Sequence, residues 1–91
     1  MASRQFPRIK IFEPAELLVG DTRRRVHVLN ISSGGALLHC DMVPRQAETV
    51  QLALRGASWS ARVAWTTKSR FGVQFVVPLT DIQLGHVTAN T

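Results

Sequence analysis

The chain has one cysteine, no tyrosine, and no long apolar run among its 91 residues. Each shortage removes a class of protein. A single thiol, Cys40, cannot form an internal disulfide, so the sequence is not a disulfide scaffold and suits a reducing cytoplasm. No apolar stretch approaches the roughly 20 residues of a membrane span. The opening "MASRQFPRIK" has bases but no apolar segment behind them, so no secretory signal is expected. His27, His39 and His86 lack metal-ligand spacing, and the lone Cys40 adds no ligand set, so no metal site is expected. No Ser-His-Asp order or persuasive carboxylate pair is present, so the expectation is a binding module and not an enzyme. Glu13 and Glu16, beside Pro14, read as surface acids.

Acids are scarce too. Six Asp and Glu stand against eleven Lys and Arg, for a net charge of +5. Nine of those eleven are Arg, whose planar fork of donors matches phosphate and guanine edges and stacks on rings. Such a balance suits an anionic partner, or simply a soluble surface. The run Arg23–Arg25 reads as a solvated strand start that also guards an edge from pairing.

With 45% apolar residues, the chain suits one domain with one core. Most of that apolar content alternates with period two. The first strand runs from near Lys10 to Gly20, and "GD" at 20–21 turns the chain. In 23–31, Val26 and Val28 are expected on one face, with His27, Leu29 and Ile31 on the other. Residues 35–40 form the next strand. Val50, Leu52 and Leu54 alternate in 49–55. Trp59, Ala61, Val63 and Trp65 alternate in 59–65, and Phe71, Val73 and Phe75 in 70–76. Turns are expected at "GAS" and "TTKS". Both Trp residues are read as core side chains. Short alternating runs at regular spacing predict an all-β fold, a six-stranded antiparallel barrel. After Pro78 the pattern changes, with Leu79 and Ile82 on one helical face and Thr80 and Asp81 suited to a helix start. A short C-terminal helix is therefore expected. Residues 1–9 form an arm before a barrel domain of 10–91.

One stretch resists a purely architectural reading. "LNISSGGALL" places Asn30 and Ser32 two apart, on one face of a strand. An amide beside a hydroxyl can pair with a base edge. Gly35 follows, where a missing side chain permits close approach. The same residues also make an ordinary turn. In "RQFPR", Arg4 and Arg8 stand four apart in a segment that Pro7 keeps out of a helix interior. Two guanidinium groups on an arm can bond phosphates or lie on a purine; the alternative is a solvated arm.

Together, Arg-x-x-x-Arg followed by [Asp/Asn]-x-Ser-x-x-Gly resembles the PilZ domain, a small bacterial barrel that binds cyclic di-GMP. "ARVAW" and "RFGVQF" also look like that family's late strands. The resemblance implies a PilZ-like barrel with a cyclic di-GMP site at Arg4, Arg8, Asn30, Ser32 and Gly35. Arg4 and Arg8 would hold phosphates and stack on a guanine. Asn30 and Ser32 would read a guanine edge, and Gly35 would leave room for the ring. Binding would order the arm against the barrel. No cofactor beyond that ligand is implied. The output would be an unidentified protein partner, since one small domain leaves no room for an output domain. Asn30 stands where many members carry Asp, and Ser3 stands where a further Arg accompanies binding of two stacked nucleotides. One bound molecule is therefore expected. Two rival readings come from other classes. One is a nucleotide-independent PilZ-like adapter, whose known examples usually lack these motifs. The other is a single-stranded nucleic-acid binder, for which exposed aromatics would be needed.

Overall fold

A computed structural model describes residues 8–89. Six strands precede one helix: β1 Ile9–Val19, β2 Thr22–Ile31, β3 Gly35–His39, β4 Thr49–Leu54, β5 Ala57–Thr66, β6 Arg70–Phe75 and α1 Asp81–Thr88. The strands close into an antiparallel barrel in the order β1-β2-β3-β6-β5-β4. Closure leaves no free sheet edge. Inward side chains from all six strands fill the interior, with Leu17, Val28, Leu38, Leu52 and Phe71 fully buried. Residues 1–7, including Arg4, lie outside the described part.

The turns show why the chain folds where it does. Gly20 takes a left-handed conformation between β1 and β2. The β4–β5 connection is tighter than "GAS" suggested. Arg55 (φ 52°) and Gly56 (φ 82°) make a two-residue hairpin, and Ala57 and Ser58 already belong to β5. Two successive positive φ values match strand twist in a hairpin, though an Arg there is uncommon. Arg55 is tied down on two sides. Its Nη2 lies 3.2 Å from Glu13 Oε1, and its carbonyl oxygen accepts from His86 Nε2 at 3.1 Å. Glu13 is thus a half-buried partner of Arg55 and not a free surface acid, because β1 alternation turns it toward the barrel mouth.

Bulges interrupt three strand pairings and change the burial phase of two strands, β2 and β5. Register shifts fall between Lys10 and Glu13, between Val28 and Asn30, and between Val63 and Trp65. In β2 and β5 the inserted residue flips the facing of what lies beyond it. Ile31 therefore turns inward with Val26 and Val28, and not outward with His27 and Leu29. Trp59, Ala61 and Val63 keep the expected inward phase, but Trp65 turns outward and is 43% exposed. Strict alternation across "NI" and "AW" placed these two residues on the wrong side.

The C-terminal helix forms with Thr80 as N-cap. Thr80 Oγ1 accepts from the Gln83 amide, and the Gln83 side chain accepts from the Thr80 amide in return. That pair satisfies donors a helix start otherwise leaves bare. Leu79 and Val87 are the buried anchors, with Leu84 packed partly against the core. Ile82, expected on the buried face, is 85% exposed. The reason is tertiary: the Leu79 amide donates to the Ser33 carbonyl oxygen at 2.8 Å, which sets how the segment meets the barrel.

Candidate functional site

The motif "NISSGG" spans the end of β2, a turn and the start of β3. The turn is held mainly by one buried side chain. Ser32 is 4% exposed. Its Oγ accepts from the amides of Gly34 and Gly35, each at 3.3 Å, and donates to the Gly35 carbonyl oxygen at 3.4 Å. The Ser32 amide also donates to that carbonyl at 2.8 Å. A serine that bonds the backbone two and three residues on is a compact turn device. Its hydroxyl is thus already engaged within the turn.

Gly35 is set by a neighbour. It pairs with Gln74 across β3 and β6. A Cβ at this position would overlap the carbonyl oxygen of Val73 and sit 3.5 Å from the Gln74 Cα. The missing side chain lets two backbones approach. Gly35 also lines the cleft described next.

Two register lines cross the barrel wall side by side. The inner line runs Ile9–Ile31–Ala36–Val73–Val63 and contributes apolar side chains to the interior. The outer line, one residue over, runs Lys10–Asn30–Leu37–Gly72–Trp65. The two bulges create this outer line. Without the extra residues Leu29 and Ala64, Asn30 and Trp65 would keep the inward phase of Val28 and Val63. On this line Asn30 meets Arg8, whose Nη1 donates to Asn30 Oδ1 at 2.7 Å. The distance is that of a charge-assisted bond.

A cleft of about 740 Å³ lies over this part of the wall, within the range typical of small-molecule sites. Arg8, Asn30, Ser32 and Gly35 line one side, and Trp65, Arg70 and Gln74 line the other. Four of the five residues singled out in the sequence therefore share one concavity. The fifth, Arg4, lies outside the described residues. The Arg23–Arg25 run belongs to the opposite end of β2. There Arg24 Nη1 donates to the Met42 carbonyl oxygen at 2.8 Å, and Arg23 lies 4.0 Å from Glu16 in an exposed pair.

Sequence reasoning missed Trp65, Arg70, Gly72 and Gln74. Gly72 was the available signal, since a glycine inside a strand marks a close approach. The approach is that of the Trp65 indole. A Cβ on Gly72 would sit only 2.6 Å from Trp65 Cε2 and would overlap Nε1. Arg70 and Gln74 flank Gly72 on the outward face of β6.

Comparison with known proteins follows this geometry. No curated protein sequence matches the chain. Among solved structures, the Bacillus subtilis inhibitor of motility MotI/DgrA superposes with a TM-score of 0.74 at 14% identity, covering 96% of this chain. The chain spans only 49% of that protein's length. The PilZ domain of CeSA from a cellulose-synthesizing bacterium superposes with a TM-score of 0.67 at 17% identity. That match covers 89% of this chain and 91% of the other. Such low identity shows a shared barrel only. No helix among the described residues is long and apolar enough to cross a membrane. The sequence itself matches the PilZ domain over residues 2–90, nearly its whole length, and the chain therefore belongs to the PilZ domain family.

Proposed function

We propose that this PilZ domain is a cyclic di-GMP-binding sensor that passes the signal to a partner protein, without catalysis of its own. The observation that carries this reading is the meeting of Arg8, Asn30 and the Ser32–Gly35 turn in one open cleft. A guanine edge offers N–H donors in a plane, and Asn30 Oδ1 faces the cleft as an acceptor. Arg8 supplies charge for a phosphate oxygen at the same place. Arg4, three residues before the Pro7–Arg8 pair, supplies the second guanidinium. Ser32 acts mainly through the turn it holds, which aims the backbone of residues 33–35 at the ligand. Gly35 keeps β3 close to β6 so that the cleft floor stays low.

Arg8 holds Asn30 through the bond described above. Binding would exchange or share that bond, which links occupancy to the surface around the start of β1. A partner that reads that surface receives the signal. The cytoplasm, where cyclic di-GMP is made and a free Cys40 persists, is the expected compartment.

Titration calorimetry with cyclic di-GMP, GTP and cyclic GMP tests the reading. The expected result is micromolar or tighter binding of cyclic di-GMP and none of the other two. No heat, and no NMR shift in residues 29–36 up to millimolar ligand, would return the chain to the nucleotide-independent adapter reading.

A further inference from the structure

We propose that the outer wall of β1 and β2, beside the cleft, is the docking surface for an acidic protein segment with an apolar side chain, anchored on Phe12. The inference rests on the partner that the reading above requires, and it gives that partner a place and a chemistry. Three observations carry it. First, Phe12 is held in place although it is 71% exposed. Its ring lies along the His27 imidazole, with centroids 4.8 Å apart and planes 13° apart. A ring left so far in water gains little for folding, but a ring already fixed loses little freedom when a partner covers it. Second, its surroundings are apolar. The register of β1 and β2 skips between Lys10 and Glu13, which sets Ile11 and Phe12 against Leu29. Ile11 points into the core and Phe12 outward, with exposed Pro14 next on the same face and Leu29 half-buried opposite. Third, the rim is basic. Arg8 and Lys10 are exposed on the Phe12 face of β1, and Arg25 is exposed two residues before His27.

The acids nearby do not cancel that charge. Glu16 stands opposite Arg25 in the register and lies 4.0 Å from Arg23, and Glu13 is bonded to Arg55. The wall therefore favours a partner surface rich in Asp and Glu. An apolar centre inside a charged rim is the anatomy of a protein interface, in which an aromatic anchor carries much of the binding. A nucleic-acid strand asks for something else: several rings for successive bases along a basic track. This wall offers one ring, and one of its faces already lies on His27. The place also bears on signalling. Lys10 stands in register with Asn30, and Arg8 bonds Asn30. A partner seated on Phe12 therefore abuts the cleft, and a nucleotide that engages Arg8 changes the rim that the partner meets.

The test uses the full chain without nucleotide, so its outcome is separate from the calorimetry above. The probe is a short peptide of glutamate and serine with one central leucine, titrated while amide shifts are followed by NMR. The expected result is saturable shifts in residues 10–14 and 25–29 that weaken as salt rises, and none from the same peptide with lysine in place of glutamate. Phe12→Ser is expected to weaken the peptide about 10-fold and Lys10→Glu several-fold. Ile82→Ser, which removes a side chain 85% exposed on α1, should leave affinity unchanged. Lys10→Glu decides the matter if Phe12→Ser fails to fold. Shifts absent from the wall, or equal binding by the native, Phe12→Ser and Lys10→Glu chains, overturn the docking surface, while the nucleotide reading stands or falls by its own titration. Tighter, Phe12-dependent binding of oligodeoxythymidine than of the peptide also overturns it and makes the wall a nucleic-acid site.

Discussion

Replacing Arg8 by alanine separates the two things this residue does. Among the described residues it makes one side-chain bond, from Nη1 to Asn30 Oδ1 at 2.7 Å, at an exposed position. Exposed charged contacts contribute about 0–1 kcal/mol, because water screens them and two long side chains must be held still. For a domain of this size 1 kcal/mol moves the melting temperature by about 4–8 °C. Arg8→Ala should therefore melt no more than about 8 °C lower. The bound state is different. In the proposed complex the guanidinium would face a phosphate of the ligand. A hydrogen bond to a charged group is worth about 1.5–3 kcal/mol, so affinity should fall by about 10-fold to 150-fold. Arg8→Lys should lie between, keeping the charge and losing the planar fork. Calorimetry with cyclic di-GMP at one salt concentration, beside thermal melts of the same samples, reads both effects. Unchanged affinity in Arg8→Ala would remove Arg8 from the site. A loss of 15 °C or more with unchanged affinity would make it a structural residue, contrary to the exposed single bond seen here.

Other substitutions test other parts of the cleft. Asn30→Asp should keep or improve binding by up to about 5-fold, since a carboxylate accepts guanine donors more strongly and Arg8 lies close enough to offset its charge; loss of binding in a folded Asn30→Asp chain would mean that the amide nitrogen donates to the ligand. Ser32→Ala should destabilise the barrel by about 1–2 kcal/mol, because the buried turn loses its hydroxyl bonds, and should weaken binding moderately; an unchanged melt would show that the turn holds without it. Gly35→Ala should cost about 1–3 kcal/mol of stability by forcing β3 away from Val73, read as a lower denaturant midpoint; a neutral effect would mean that the sheet yields easily there. Thr80→Ala should lose about 1 kcal/mol with the cap of α1, visible as faster amide exchange in residues 81–84, and unchanged exchange there would mean that packing of Leu79 and Val87 holds the helix start.

What the sequence by itself determined was the kind of fold and four of the residues that line one cleft. Alternation at Leu17 and Val19, Val50 to Leu54, and Phe71 to Phe75 survives in the barrel, because a strand has only two faces and one must be dry. Ser32 and Gly35 were legible because few residue types can make so tight a turn, and Thr80 because few can cap a helix. Tertiary structure alone decided the rest. Alternation is a local rule, and a bulge breaks it without a local mark, since Leu29 and Ala64 look like any other strand residues. Yet those two insertions send Ile31 inward and Trp65 outward. The approach of β3 to β6 gives Gly35 its reason, and the indole gives Gly72 its reason. Other partners are far apart in sequence: Gly35 meets Val73, and Arg8 meets Asn30. Pairings over such separations depend on how the barrel closes, and closure is a property of all six strands together.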